Sequence, residues 1–281
     1  LAAESAYRMA MLLDPVTVDW QMGLARSLFK QERYSDAAAL CGGLISTYPE
    51  RADLWLLQAN AYIGLDKPLK AAENYEFVDR LGRERASAIL RTDSQETATR
   101  AMEAAIRGGF TIIEFTLTIP GVYDLVREFS RRDGVVVGTG TVMDPEQARL
   151  SVEAGARFLV SPVVDEPVIE AAAQLGVASM PGTHTPTEML RAHRAGAQLC
   201  KLFPVPAGGP AWVRSVLGPM PWLKIVPTNG VDEHNAADWI AAGVFGVGFV
   251  APLFPADDLA GGHWDAIEAR AARCMAAVRG A

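Results

Sequence analysis

Lys201 lies in Ala197-Gln198-Leu199-Cys200-Lys201-Leu202-Phe203-Pro204, an otherwise apolar, strand-like run. A low-dielectric surround disfavours an ammonium relative to the neutral amine, and the neutral amine is the form that adds to a ketone to give a Schiff base. Lysine is scarce nearby. From residue 85 onward Lys224 is the only other one, and arginine carries nearly all the remaining positive charge. A second ionisable group stands out in Thr111-Ile112-Ile113-Glu114-Phe115-Thr116-Leu117-Thr118. Strand alternation puts Ile112, Glu114, Thr116 and Thr118 on one face, and Ile113, Phe115 and Leu117 on the other. Glu114 then points inward, where an isolated carboxylate is costly unless paired or protonated. An iminium-forming amine with a carboxylate beside it is the minimum set for moving a proton next to a ketone. The competing readings are structural: a strand-end lysine whose tip reaches water, and a buried ion pair that only orders the sheet.

Positioning these two groups requires strands that converge. Short apolar runs alternate with amphipathic segments from about Arg85, giving expected strands at Ser87–Arg91, Thr111–Leu117, Val135–Thr139, Phe158–Val160, Ala178–Met180, Gln198–Leu202, Leu223–Val226 and Phe245–Phe249. Eight strands at roughly twenty-residue spacing with helices between them predict an α/β fold, a parallel (β/α)8 TIM barrel. An open doubly wound sheet is the runner-up, disfavoured because no glycine-rich phosphate fingerprint follows the first strand. Helix starts are marked by Asp144-Pro145-Glu146, an N-cap before a first-turn proline, and by Thr185-Pro186-Thr187-Glu188, a capping box. The alanine-rich tail Trp264–Arg279 is expected to close the barrel. Active sites of such barrels lie at the C-terminal strand ends, where both Glu114 and Lys201 fall. His184 sits in a loop that reaches the same mouth, although a lone loop histidine reads first as a surface or packing residue. Cys200 alternates away from Lys201 and reads as core.

The first 84 residues follow a different pattern. Pro15 and Pro49, Ala37 and Ala71, and Leu28 and Tyr62 are each 34 residues apart. That period, with small, aromatic and proline residues in fixed phase, is a tetratricopeptide signature. Trp20, Leu24, Ala25, Tyr34, Ala37 and Pro49 supply one repeat, and Trp55, Ala59, Tyr62, Ala71 and Tyr75 the next. Leu1 to Leu13 reads as the second helix of an earlier repeat. Such units bury their faces only by stacking, so this all-α segment is expected to lean on the barrel or on another subunit. The expected domains are therefore residues 1–84 and 85–281. Helix Pro68–Gly82 is expected to run almost directly into the first strand, with no flexible linker between them.

Composition narrows the function classes. Half of the 281 residues are hydrophobic and 21% are charged, which is ordinary for a folded globular chain. A net charge of −7 argues against a nucleic-acid partner. No apolar run approaches the ~18 residues a membrane span needs, and the first residues lack a signal-peptide layout. Cys41, Cys200 and Cys274 are scattered, without metal-ligand spacing, and fit reduced thiols and a cytoplasmic setting.

Seven motifs occur in order: Ile113-Glu114-Phe115-Thr116, Gly138-Thr139-Gly140-Thr141-Val142, Ala154-Gly155-Ala156-Arg157-Phe158, Val160-Ser161-Pro162, Pro181-Gly182-Thr183-His184-Thr185-Pro186-Thr187-Glu188, Lys201-Leu202-Phe203-Pro204 and Pro227-Thr228. This succession resembles the class I 2-keto-3-deoxy-6-phosphogluconate (KDPG) aldolases, grouped with 4-hydroxy-2-oxoglutarate aldolases, from about residue 88 to the C-terminus. The resemblance implies a trimeric barrel that reversibly splits a 2-keto-3-deoxy (phospho)sugar acid into pyruvate and an aldehyde, without metal or other cofactor. It implies Lys201 as the Schiff-base lysine and Glu114 as the general acid/base. Thr141 and Pro181 would line the pyruvate end, with Thr228 and Gly230 along the sugar chain and Arg91 holding an anionic group. Thr118 stands where many relatives place a carboxylate-binding arginine. Pro227-Thr228-Asn229-Gly230 stands for the usual Pro-Thr-Gly-Gly, and Val250-Ala251 for a Gly-Ser pair, so whether the substrate is phosphorylated stays open. The resemblance does not cover residues 1–82, and the last repeat helix takes the place of the family's own N-terminal helix. An engineered fusion is one origin for this arrangement. The alternative function is an assembly protein in which barrel and repeats each supply an oligomer interface.

Overall fold

A computed structural model describes residues 2–14, 17–49, 51, 53–55, 57, 58, 61 and 77–281. Helices α1 (Ala2–Leu13), α2 (Val18–Lys30) and α3 (Tyr34–Thr47) pack in succession. Small residues permit the close approach: a Cβ on Gly23 of α2 would lie 2.2 Å from the Tyr7 ring of α1. One face of α2 and α3 joins Leu24, Leu28, Ala37 and Ala38, and the other joins Met22, Ala25, Cys41, Leu44 and Ile45. Of the repeat positions expected from the sequence, Leu24, Ala25 and Ala37 are buried, whereas Trp20 stands exposed. The Trp55 indole donates to the Pro49 carbonyl at 2.8 Å. Pro15, Ala59, Tyr62, Ala71 and Tyr75 lie outside the described residues, as does residues 68–76 of the expected connecting helix.

Residues 77–84 are helical, and Arg85 alone separates them from the first strand. The strands are β1 (Ala86–Leu90), β2 (Ile112–Thr116), β3 (Val136–Gly140), β4 (Phe158–Ser161), β5 (Ala178–Thr183), β6 (Cys200–Leu202), β7 (Ile225–Pro227) and β8 (Val247–Phe249). The helices between and after them are α4 (Gln95–Arg107), α5 (Val122–Phe129), α6 (Pro145–Glu153), α7 (Glu166–Leu175), α8 (Pro186–Arg194), α9 (Gly209–Leu217), α10 (Ala236–Ala241), α11 (Ala256–Gly261) and α12 (Trp264–Arg279). All strand pairs are parallel, in the order β7-β6-β5-β4-β3-β2-β1-β8. A parallel bridge between Thr228 and Gly248 joins the two edges, so the sheet forms a (β/α)8 barrel. The expected caps form: Asp144 accepts from the Gln147 amide, and Thr185 and Glu188 make a reciprocal capping box.

Alternation along the strands sorts the core into two layers. Ala88, Leu90, Ile113, Phe115, Leu159, Cys200, Leu202, Ile225 and Phe249 face the helices. Ile112, Val136, Phe158, Val160, Ala178, Met180, Leu199 and Val226 fill the barrel interior. Phe77 and Leu81, on the helical turn before β1, belong to this interior layer and plug the N-terminal end of the barrel. Each such fully buried side chain contributes roughly 1.5–3 kcal/mol relative to exposure. The tail helix closes the barrel on its outer layer. α12 packs on the outside against α4 and α10, where a Cβ on Gly108 would lie 2.4 Å from the Ala271 Cβ. It completes the outer ring, while the sheet closes through its own Thr228–Gly248 bridge.

Candidate active site

The strand register brings the two chemical groups into the same interior. Ile89, Glu114 and Gly138 are neighbours across β1, β2 and β3, and Gly182, Lys201 and Val226 are neighbours across β5, β6 and β7. Both runs belong to the inward set, because Ile112 and Val136 precede the first and Leu199 precedes Lys201 in the interior layer. Glu114 is 1% exposed, and neither carboxylate oxygen has a hydrogen-bond partner among the described residues. Burial pushes this carboxyl above the ordinary carboxylate range, and the positive charges of Lys201 and Arg91 oppose that rise. Space for it comes from Gly140, where a Cβ would sit 1.9 Å from Glu114 Oε1. Lys201 is half-buried, with Nζ 5.3 Å from the centre of the Phe203 ring. Its strand is anchored by Thr183, whose hydroxyl donates to the Lys201 carbonyl at 2.9 Å.

Arg91 extends from the C-terminal end of β1 and forks between two threonines. One guanidinium nitrogen donates to Thr118 Oγ1 and the other to Thr141 Oγ1, each at 3.0 Å. Thr118 is linked in turn to Thr116 at 2.9 Å. Thr141 adopts the left-handed conformation at φ 66°, which a branched side chain rarely takes. Such strain is retained where the surrounding structure holds it, here with the Thr141 hydroxyl directed at Arg91. A planar guanidinium pre-set between two hydroxyls presents a fork suited to a carboxylate.

Each residue singled out in the sequence has a definite place. Glu114 and Lys201 sit at the middle of β2 and β6, and Arg91, Thr118, Thr141 and Thr228 lie just past the C-terminal ends of β1, β2, β3 and β7. Pro181 is buried on β5. Thr228 is fully buried with its hydroxyl unpartnered, and Gly230 is exposed at φ 99°. His184 donates through Nδ1–H to the Pro204 carbonyl at 2.8 Å and so ties the loop after β5 to the loop after β6. Cys200 lies buried on the helix side, as alternation predicts. Three contributors escaped the sequence reading. Ser87 is buried with an unpartnered hydroxyl, Thr183 anchors Lys201, and Gly140 gives Glu114 its room. A serine in the otherwise apolar run Ala86–Leu90 was the available signal for Ser87; the other two depend on cross-strand contacts. Among the described residues, no group of three or more His, Cys, Asp or Glu is arranged to hold a metal ion, and no helix is long and apolar enough to cross a membrane.

This arrangement brings an amine, a buried carboxyl and a guanidinium fork into one barrel, groups of the kinds able to add to and deprotonate a 2-oxo acid. Comparison with known proteins agrees with it. Residues 78–270 match the family model described as KDPG and KHG aldolase. A probable 2-dehydro-3-deoxy-6-phosphogalactonate aldolase of Rhizobium meliloti (strain 1021) is 36% identical over 170 residues, covering 59% of this chain and 80% of that protein. Among solved structures, a KDPG aldolase from Legionella pneumophila, with pyruvate captured at low pH as a covalent carbinolamine intermediate, superposes with a TM-score of 0.59 at 27% identity, covering 69% of this chain and 95% of that one. A cube-shaped, highly porous protein cage designed by fusing symmetric oligomeric domains gives a TM-score of 0.64 at 30% identity, covering 70% of this chain and 72% of that one.

Proposed function

Because the chain belongs to the KDPG and KHG aldolase family, we propose that Lys201 is its Schiff-base residue and Glu114 its general acid/base. The protein is a class I aldolase, a carbon–carbon lyase that cleaves a 2-keto-3-deoxy (phospho)sugar acid to pyruvate and an aldehyde. The observation that carries the assignment of roles is Glu114: a fully buried carboxyl with unpartnered oxygens, in the field of Lys201 and Arg91.

The neutral Lys201 amine adds to the C2 ketone, forming the N–C2 bond. The carbonyl oxygen takes up a proton, and its loss as water leaves the iminium. Removal of the C4 hydroxyl proton, by the Glu114 carboxylate or through a water it orients, lets the C3–C4 bond break. That electron pair moves into the iminium and leaves an enamine, while C4 departs as the aldehyde. Protonation of C3 by the Glu114 carboxylic acid and hydrolysis of the resulting iminium release pyruvate and free the lysine. A carboxyl whose pKa is raised by burial suits both halves of this cycle, since it holds and gives up a proton nearer neutrality. Arg91 holds the C1 carboxylate, Thr118 and Thr141 set its fork, Pro181 lines the pyruvate end, and Thr228 and Gly230 lie along the sugar chain. Borohydride reduction with pyruvate, followed by peptide mapping, tests the assignment: a pyruvate-derived adduct on Lys201, absent from Lys201→Ala, is expected, and an adduct elsewhere defeats it.

The assembly reading keeps a specific basis and is compatible with catalysis. Met9, Leu12 and Leu13 of α1 are 58%, 79% and 82% exposed, an apolar face of the kind another helix covers. Met143 and Val163, in the loops after adjacent strands β3 and β4, are also exposed. We read residues 1–84 as a tetratricopeptide segment and 85–281 as the aldolase barrel, with a homotrimer through the barrel and a larger assembly through the helical face. The three cysteines, unpaired by disulfides and buried, fit a cytoplasmic location. Mass in solution decides the assembly: a trimer or a discrete multiple of one is expected, and a monomer removes it.

A further inference from the structure

In (β/α)8 barrels the loops after strands 7 and 8, with the N-terminus of a short extra helix, are the usual cradle for a substrate phosphate. This chain furnishes that place with other chemistry. The loop after β7 reads Thr228-Asn229-Gly230-Val231-Asp232-Glu233-His234-Asn235, and the loop after β8 reads Val250-Ala251-Pro252-Leu253-Phe254-Pro255. Neither holds a lysine or an arginine. The short helix that follows, α11, carries Asp257 and Asp258 in its first turn, so its N-terminal field already faces carboxylates. The basic groups of the neighbouring tail helix are engaged. Arg270 donates to Asp258 Oδ2 at 2.8 Å and to the Leu253 carbonyl at 3.2 Å, and Arg273 is bound to Glu233. His263 lies 3.2 Å from Asp258. Arg91 lines a cleft with Ala256, Leu259 and Ala260 of α11, but its guanidinium is already engaged by Thr118 and Thr141.

The wall itself is apolar or neutral. A Cβ at Gly230 would come within 3.9 Å of Val205 Cβ, so the loops after β6 and β7 meet through a valine. Val250 is half-buried, and its carbonyl accepts from the Leu253 and Phe254 amides, so that acceptor is already used within the loop. Asn229 holds the left-handed conformation at φ 62°, where glycine would leave the backbone open to a bulky anion. Its amide can hydrogen-bond a hydroxyl but supplies no charge. A phosphate dianion placed against these loops would shed water without meeting a lysine or arginine of theirs, beside a helix whose first turn is acidic.

From this we infer that the preferred substrate is a non-phosphorylated 4-hydroxy-2-oxo acid, anionic only at its C1 carboxylate, whose leaving aldehyde is uncharged and rests on Asn229, Val205 and Val250. The inference rests on the aldolase reading and narrows it. The reaction is unchanged; only the group attached to C4 is specified. The experiment has two stages. Pyruvate is first trapped on Lys201 with borohydride; no adduct overturns the aldolase roles and this inference together. With trapping established, aldol synthesis from pyruvate is followed with glyceraldehyde and with glyceraldehyde 3-phosphate. A kcat/KM for the uncharged aldehyde equal to or above that for the phosphorylated one is expected. A preference of about tenfold or more for the phosphorylated aldehyde overturns this inference alone. The triple variant Asn229→Gly, Val250→Gly, Ala251→Ser is expected to move the ratio about tenfold or more toward the phosphorylated aldehyde, with trapping at Lys201 retained. Should it fail to fold, Asp257→Asn, an exposed change, reads the charge contribution in the same direction. An unmoved ratio in a folded variant counts against the inference.

Discussion

Phe77 stacks on Phe158, with ring centroids 4.0 Å apart and planes 8° from parallel. The first ring belongs to the helical turn that enters β1, and the second to the interior face of β4, so the pair joins the helical segment to the barrel. The N-terminal end of the barrel is sealed by a side chain that precedes its first strand. Phe77→Ala removes one ring of a fully buried stack and should cost about 3–5 kcal/mol in urea unfolding of the barrel. A loss under ~1 kcal/mol would mean that the plug is replaceable.

Glu114 separates activity from stability. Its pKa is raised, so the folded state favours the proton. Below the ordinary glutamate value of 4.5 the group costs the fold nothing; as pH rises from there toward the raised folded value, ionisation is opposed and stability falls. Glu114→Gln should therefore remove that pH-dependent fall and match or exceed the parent in melting temperature near neutrality. Turnover should drop roughly 10²–10⁴-fold. A variant that loses stability as well as activity would argue for a structural ion pair.

Arg91 should act on binding of the 2-oxo acid more than on the chemical step. A hydrogen bond to a charged group contributes about 1.5–3 kcal/mol, so Arg91→Ala should raise KM for pyruvate about 10- to 100-fold with kcat less affected. Arg91→Lys should recover little, since an ammonium cannot span Thr118 and Thr141 together. An unchanged KM would reassign the residue to surface structure.

His193 predicts an acid-sensitive junction. It lines a small cleft with Ile45, Ser46 and Trp55 of the helical segment and with Trp222 and Lys224 of the barrel. Burial, with Arg194 and Lys224 adding repulsion, lowers its pKa to about 4. An unfolded histidine titrates near 6.5, so the stabilisation is complete above about 6.5 and is lost as pH falls from there to about 4, a total on the order of 3 kcal/mol. His193→Gln should flatten stability across that window in a denaturation series; an unaltered slope would exclude this histidine as the cause.

Much of the barrel was legible because its signals are local. Each expected strand occurs within two or three residues of its place, and the caps at Asp144 and Thr185 form as read. The inward orientation of Glu114 and the outward orientation of Cys200 needed only a period of two. The tail helix was legible as amphipathic, but not which partner covers its buried face; α4 does so, through Gly108 and Ala271. Ser87, Thr183 and Gly140 went unnoticed for a related reason, since their parts arise from neighbours on other strands.

By itself the sequence determined the alternation of strands and helices, the faces on which Glu114 and Lys201 lie, and the apolar, acidic character of the loops after β7 and β8. Those properties follow from side-chain type and spacing within a few residues. Only the tertiary structure decided that Arg91 meets Thr141 from 50 positions away, that Phe77 reaches Phe158, and that Thr228 closes the sheet against Gly248. Such contacts depend on strand register and on loop conformations such as φ 66° at Thr141, which are set by packing between distant segments and have no counterpart in local periodicity.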